Sequence, residues 1–580
     1  MKQQEAVIEG LGQSRGFLRK AYNAALIPCM LSILSGCVNI IADGIIVGQR
    51  IGPNGLTAIN LCVPVYLILC ILGSFFVSGA AISASNEIGK DNSEAAQKFY
   101  GIALVMCLIS SAVMAVCGLF LSGTIASLLC GDPEVVPMVR DYTRVTLVGA
   151  LPKIMIYMPF WFLRLDGKNK TVTAMMAVMG IGNILLDLLF LFVLEMGVYG
   201  AALASVISTG VACLVGFIRQ HTGKATFRFA PAKPDRAAMR RIADTGSPAA
   251  LNNLMQTVRL LCVNSFLMAR GGSETVAIFT VVNGISAFSE AVTVGVPQAA
   301  SAILGIYHGE YDTRSTQIVL QLEAEYGFLY GALFGLLISF GSGWIATAYG
   351  LNVSIRIPMI CLAVSLFPGL CNSILSSYYN VSGRAGLANL VIFFRVFLFS
   401  VASLQVMMAV GGNVWLFLPV SELLTLLAIL ATTWIISRRH KGLSPILLMD
   451  TSLDKSDSII NFSVISENAE ICGACEKVTD FCQGNGMPLK QTMRISLALE
   501  EMMTLITQEN KPKQLHFDIR MFSYQGTIGI RIRYDGIDLN PLGAENEEKE
   551  EYMGVVMIKK MVKTVVYKRI FGLNSLLILI

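Results

Sequence analysis

The chain is poor in charge. Only 14% of its 580 residues are Asp, Glu, Lys or Arg, against roughly 25% in an average soluble domain. The charges nearly cancel at a net +5, so the balance points to no nucleic-acid partner. Cysteine ligand sets are also missing. Of 14 cysteines, 11 lie in or beside apolar segments, where Cys acts as a small hydrophobe. Cys472, Cys475 and Cys482 form one CxxC with a neighbour, but no second CxxC or nearby His completes a zinc set. Cys472 and Cys475 are expected to share a helix face. The polar stretch Met1–Lys20 has no short apolar core followed by a cleavage site, so the first apolar run is expected to insert directly, without a cleaved signal peptide.

What is present is apolar: 54% of residues are hydrophobic and the mean hydropathy is +0.63. About 20 apolar residues suffice to cross a bilayer core, and about twelve such runs fill residues 20–440. The expected fold is an all-α polytopic membrane bundle of about 12 transmembrane helices followed by a small C-terminal α/β domain. Residues 1–20 are expected to form a cytoplasmic N-terminal segment. Six spans over 21–218, a basic linker over 219–246, six more spans over 247–440, and a separate domain over 445–580 follow.

Charge placement sets the orientation. Arg219, Lys224, Arg228, Lys233, Arg236, Arg240 and Arg241 crowd the longest loop, and Arg438, Arg439 and Lys441 follow the last run. Loops on the other side are poor in Lys and Arg. The positive-inside rule then places both termini and the linker in the cytoplasm of a multi-pass cell-membrane protein.

The two halves repeat at a constant offset of 220: Pro28 with Pro248, Arg50 with Arg270, Gly52 with Gly272, Gly89 with Gly309. Six spans each would make them two pseudo-symmetric lobes related by an axis along the membrane normal, around a central cavity. The intramembrane acids are not repeated. Asp43 aligns with Val263, and Asp187 falls near Ser403.

Those acids are the sharpest functional signal. A carboxylate in hydrocarbon costs several kcal/mol, and usually marks an ion or substrate pathway. Asp187 interrupts Ile184-Leu185-Leu186-Asp187-Leu188-Leu189-Phe190, and Asn183 lies four residues before it on the same helix face. Asp43 sits in the first apolar run. If the two acids share one pocket, both cannot ionise cheaply, so one is driven to hold a proton or a cation such as Na+. The bland alternative is that Asp187 serves only as a hydrogen-bonding link between helices. Glu290 is a candidate for the substrate pathway; it or Glu422 could equally pair with Arg259 or Arg395 as structural support. Lys153 is a further intramembrane charge.

The string from Ile27-Pro28 through Asp43-Gly44-Ile45-Ile46-Val47-Gly48-Gln49-Arg50-Ile51-Gly52 resembles the first-helix signature of multidrug and toxic compound extrusion (MATE) transporters. Leu163-Arg164-Leu165-Asp166-Gly167-Lys168, then Asn183 to Asp187, and Gly200-Ala201-Ala202-Leu203-Ala204-Ser205 are similar to later segments of that family. The resemblance spans about residues 15–440. It implies a two-lobed antiporter exporting cationic or amphipathic compounds in exchange for H+ or Na+. In the branch resembling DNA-damage-inducible protein F, the coupling site would fall on Asp43, Tyr142, Asn183, Asp187 and Ser205, with Ser205 where a Thr is common. No metal is expected beyond Na+ at Asp43/Asp187, and no cofactor is required.

From about Ser444 the composition turns to that of a soluble α/β domain. Asn468–Gln483 and Leu489–Gln508 are expected as helices, Leu515–Phe522 and Thr527–Tyr534 as strands, and Met553–Val565 as a helix before a final strand. The order of motifs resembles the anti-sigma-factor branch of GHKL ATPases. That resemblance puts Glu501 at the catalytic-base position, Asp535 and Gly536 in the adenine-contacting loop, and Gly554 in the lid. The family's magnesium-binding Asn falls on Leu505, which has no ligand oxygen. A degenerate regulatory domain results, with ATP or ADP bound weakly if at all, no enzymatic activity, and a regulatory protein as an open partner. Small-molecule substrates and membrane lipids complete the expected partners of a monomeric chain. Two other readings remain: a lipid-linked oligosaccharide flippase of the same superfamily, and a membrane-bound signalling protein acting through residues 445–580.

Overall fold

In the computed structural model, residues 2–130, 132–222, 226–348, 353–440, 442–450, 459–524, 527–541, 564–570 and 573–580 are described. The first half of the helical part contains α1 (Lys2–Leu61), α2 (Val63–Gly89), α3 (Ser93–Leu129), α4 (Val136–Val148), α5 (Ala150–Met155), α6 (Tyr157–Leu165), α7 (Asn169–Asp187) and α8 (Gly197–His221). The second contains α9 (Arg236–Thr293), α10 (Gly295–Gly309), α11 (Thr313–Phe340), α12 (Ser342–Ala348), α13 (Arg356–Val381), α14 (Ala385–Ile392), α15 (Phe399–Val410) and α16 (Phe417–Arg439).

Among the described residues, nine helices are long and apolar enough to cross a membrane. The count becomes ten if α4 and α5–α6, bent by 58° at Gly149, form one broken span. Two expected spans are not in that set. The run at 247–268 lies inside α9, where Asn252, Asn253, Gln256, Arg259 and Asn264 dilute it. The run at 318–348 begins in α11 with Glu323 and Glu325. α1 does not break at Gly52-Pro53 but continues through it to Leu61. Membrane helices tolerate Pro, which removes only one backbone donor.

The halves echo each other locally. Each has a π-helical stretch, Leu188–Val193 after α7 and Phe393–Leu398 after α14. Gly167 and Gly383 both sit at positive φ (72° and 75°), as do Asp91 (61°) and Tyr311 (55°), 220 residues apart. Those last two form tight turns linking α2 to α3 and α10 to α11. In each turn the next residue caps the following helix: Asn92 accepts from the Ala95 amide at 3.1 Å, and Asp312 from the Ser315 amide at 3.0 Å.

The halves press together just above these turns. A Cβ on Gly309 would meet the Asn86 carbonyl oxygen and, at 2.9 Å, the Cα of Gly89. A Cβ on Gly246 would likewise collide with the Phe75 carbonyl oxygen on α2. Only glycine permits backbones this close. Asn86 also donates to the Val381 carbonyl at 3.1 Å, tying the two halves again.

The C-terminal domain is a five-stranded antiparallel sheet, order β1-β2-β3-β5-β4, with two helices. Its elements are β1 (Ile459–Ile465), α17 (Asn468–Gly484), α18 (Leu489–Glu509), β2 (His516–Tyr524), β3 (Thr527–Asp535), β4 (Thr564–Ile570) and β5 (Leu573–Leu579). Both expected helices and the first two expected strands are present. Residues 553–563 of the expected last helix lie outside the described residues. Thr564 and Val565 belong to β4 instead, and β4 and β5 replace the single final strand. Cys475 is buried on α17, which pushes its thiol up to about 11, with Glu500 adding to the effect, while Cys472 is exposed.

Strand alternation divides the sheet into two faces. Phe517, Ile519, Met521, Ile530, Ile532 and Tyr534 pack with Val478, Leu499, Met503 and Ile506 of the two helices. The opposite face carries Asp518, Arg520, Arg531 and Arg533, with Arg520 registered on Arg531 and Asp518 on Arg533. This charged face is not left to solvent. It lies against the helical part at the end where α2, α3, α10 and α11 turn.

Candidate functional site

Asp187 is fully buried near the end of α7. The Asn183 amide, one turn earlier, donates to its Oδ2 at 2.9 Å. Asn183 forms part of the wall of a cavity of about 220 Å³ in the first half. Tyr66 and Cys70 of α2, Lys153 of α5, Tyr157 of α6, Met176 and Met179 of α7, and Ser205, Ser208 and Thr209 of α8 complete most of that wall. The lining combines aromatic and thioether surface with a few polar groups, as small-molecule sites usually do.

Lys153 is the cavity's cation. Its ammonium donates to Ser205 Oγ at 2.6 Å and stands 5.3 Å from the centre of the Tyr66 ring. Ser205 in turn accepts, through its backbone oxygen, from Thr209 Oγ1 at 2.6 Å. The sequence marked Lys153 only as one more intramembrane charge. Its lone position in Leu151-Pro152-Lys153-Ile154-Met155 was the available signal.

The structure thus joins three of the expected coupling residues: Ser205 and Asn183 on the cavity wall, and Asp187 behind Asn183. Tyr142 is not in that lining; it packs beside Ala58, Cys62 and Val139. Asp43 lies on α1, and its side chain is outside the described residues. Glu290, on the last turns of α9, is likewise not part of this cavity wall. Glu422 is a structural partner: Arg395 Nε binds it at 2.8 Å, Asn372 donates to it at 2.9 Å, and Arg395 Nη1 also reaches Ser373 at 2.7 Å. Arg259 Nε is buried with no hydrogen-bond partner.

In the C-terminal domain, Asp535 is occupied. It pairs with Lys20 of α1, accepts from the His516 amide at 2.8 Å, and has Lys513 at 3.9 Å. Burial opposes its charge, but these partners hold its carboxyl below the ordinary range. Gly536 has φ +136°, and Asn510 Oδ1 accepts from the next amide, Ile537, at 2.8 Å. Glu501 is exposed on α18, Leu505 is buried in the domain core, and Gly554 lies outside the described residues. Among the described residues, no group of three or more His, Cys, Asp or Glu could hold a metal ion.

Residues 28–193 match the MatE family model. The chain is similar to the multidrug export protein MepA of Staphylococcus haemolyticus, 27% identical over 48% of this chain. That match spans only 61% of the relative's own length. It is also similar to the probable multidrug resistance protein YoeA of Bacillus subtilis, 26% identical over 56% of this chain and 72% of the relative. Among solved structures, a multidrug resistance MATE family transporter of the MOP superfamily, described as outward-facing, superposes with a TM-score of 0.66 at 22% identity. It covers 72% of this chain and 96% of that one. The helical part therefore has the MATE transporter fold.

Proposed function

We propose that the chain is a multi-pass membrane transporter of the MATE family, a secondary antiporter exporting cationic or amphipathic compounds in exchange for H+ or Na+. In this reading the twelve spans form two lobes, both termini and the 219–246 linker are cytoplasmic, and residues 445–580 regulate. The observation that carries it is the Asn183–Asp187 pair at the wall of the 220 Å³ cavity, inside a MATE-like fold.

The chemistry follows from placement. A carboxylate in a low-dielectric interior is costly when charged, so in this reading Asp187 is the group that takes up and gives back a proton or a cation. Asn183 orients it, while Lys153 and Ser205 make the facing wall polar. Loading and unloading Asp187, with Asp43 as its partner acid, changes the local charge and biases the two halves between outward- and inward-open arrangements. A cavity of about 220 Å³ suits a small drug better than a lipid-linked oligosaccharide.

The test is Asp187→Asn in vesicles under defined pH and sodium gradients. The amide keeps size and hydrogen bonding but can neither cycle a proton nor neutralise sodium. Gradient-driven dye efflux is expected to vanish while the protein still inserts and folds. Efflux at the wild-type rate would sink the coupling role.

A further inference from the structure

The charged sheet face grips the two halves at once. Arg531 Nη2 binds Asp91 of the first half at 2.6 Å, and its Nη1 binds Glu310 of the second half. Because both ends belong to one planar guanidinium, those two turns cannot separate while it holds both. Lys568 of β4 adds to the first half, reaching Asp91 at 3.0 Å and the Ile88 carbonyl at 3.2 Å. On the second half, Arg533 binds Glu310 and, at 3.2 Å, Asp312; Arg520 binds Asp312 at 2.9 Å and the Tyr311 carbonyl at 2.9 Å. Arg533 also lies over the Tyr307 ring at 4.6 Å and is held from behind by Asp518 at 2.8 Å.

These are not surface pairs. The Arg520, Arg531 and Arg533 side chains are only 5–9% exposed, and those of Glu310 and Asp312 only 3%. Removing one partner of a buried pair leaves an uncompensated charge, which costs far more than losing a solvated one. The pairs also sit directly over the Gly89–Gly309 crossing, where the halves are in backbone contact.

We propose that the C-terminal sheet is a brace that holds the helical halves shut at the end it covers, so that opening toward that side requires the sheet to release at least one half. The inference rests on the transporter reading only in naming what the closure regulates. The brace is a two-state element: docked, it favours the state closed at this end; released, it frees rigid-body rocking of one half against the other. Anything that draws the arginine face off the two turns would act as an activator of inward opening.

A reporter cysteine at Gln298, which lines a small inter-half cavity with Ser85 and Arg164, reads the closure directly. Inside-out vesicles carrying the full chain are treated with a membrane-impermeant methanethiosulfonate, and modification is followed peptide by peptide. Two variants are compared with the reporter alone: Arg531→Gln, which removes the one side chain that bridges both turns, and Asp91→Asn with Glu310→Gln, which removes the two acids it bridges. Buried Cys475 and Cys482 serve as folding controls.

Modification at position 298 is expected to accelerate by about tenfold or more in both variants, as a shifted closed–open equilibrium requires. Unchanged rates in both would overturn the brace. Should Arg531→Gln expose Cys475, the turn variant decides alone. Labelling reports opening rather than drug movement. Absent efflux in the unmodified protein would therefore refute the antiporter reading and leave the brace standing, and flat labelling would do the reverse.

Discussion

Replacing Arg533 with Ala removes the cation shared by Glu310, Asp312 and Asp518. All three carboxylates stay buried, and breaking a buried ion pair from one side typically costs about 3–5 kcal/mol. Asp312 gives the pH dependence. Burial disfavours its charge, yet Arg520, Arg533 and the Ser315 hydrogen bonds outweigh that and hold its carboxyl at about 2, below the ordinary 3.8. A carboxyl depressed in the folded state stabilises above its unfolded pKa and loses that contribution as pH falls through the folded value. For a shift of nearly two units this is about 2 kcal/mol, fully present above pH 4 and drained toward pH 2. Arg533→Ala raises the Asp312 carboxyl, so its penalty should be full at pH 7 and shrink as the pH is lowered below 4. The assay is thermal unfolding of the full chain in detergent, followed by reaction of Cys475 and Cys482 with 4,4′-dithiodipyridine, a disulfide activated by its own protonation and so reactive toward thiols in acid. A midpoint equal to wild type at pH 7, or a gap that widens in acid, would refute the reasoning.

Three further outcomes are expected. Lys153→Met removes the cation over Tyr66 and should lower the apparent KM for a monovalent cationic dye roughly 2–5-fold, a charge effect of about 0.5–1 kcal/mol; an unchanged KM would take Lys153 out of the pathway. Gly309→Val forces a side chain into the Asn86 carbonyl and Gly89 and should destabilise by about 1–3 kcal/mol, seen as a lower unfolding midpoint; full tolerance would mean the halves are not in close contact there. Equilibrium dialysis of the full chain with ATP, with and without magnesium, should show weak, magnesium-independent binding and no turnover, because Leu505 offers no ligand and Asp535 already holds Lys20; tight magnesium-dependent binding with hydrolysis would restore the enzyme reading.

The Asn183–Asp187 pair was legible because both members lie on one helix at a spacing fixed by helix geometry. Lys153 and Ser205 were not legible as a pair. They are 52 residues apart, and their bond exists only once α5 packs on α8. The strands of the C-terminal domain announced themselves by alternation, but β1 and the β4–β5 hairpin did not. The run Ile459-Ile460-Asn461-Phe462 is short, and Thr564–Leu579 follows a segment whose apolar spacing reads as helical. The helices long and apolar enough to cross a membrane number fewer than twelve among the described residues for a related reason: a hydropathy pattern registers apolar length, whereas α9 and α11 carry amides and carboxylates within theirs.

The brace shows what an alternating strand pattern leaves open. A strand with one apolar and one charged face ordinarily turns the charged face to water. Nothing local in Asp518-Ile519-Arg520-Met521 or Ile530-Arg531-Ile532-Arg533 distinguishes that case from docking. The distinguishing information lies hundreds of residues away, in the turns at Asp91 and Tyr311. There the internal repeat supplies the geometry and its imperfections supply the charge. The turns match in backbone, with positive φ 220 residues apart, but Lys90 and Asn92 of the first stand where Glu310 and Asp312 of the second do. The arginine face therefore meets one acid on the first half and two on the second. Arg531 and Lys568 hold Asp91, whereas Arg520, Arg531 and Arg533 hold Glu310 and Asp312. Counting only the turns, the arginine face holds the half containing the Asp187 cavity by fewer acids than the other, so under the antiporter reading the half that carries the proposed coupling site would be released first at these turns.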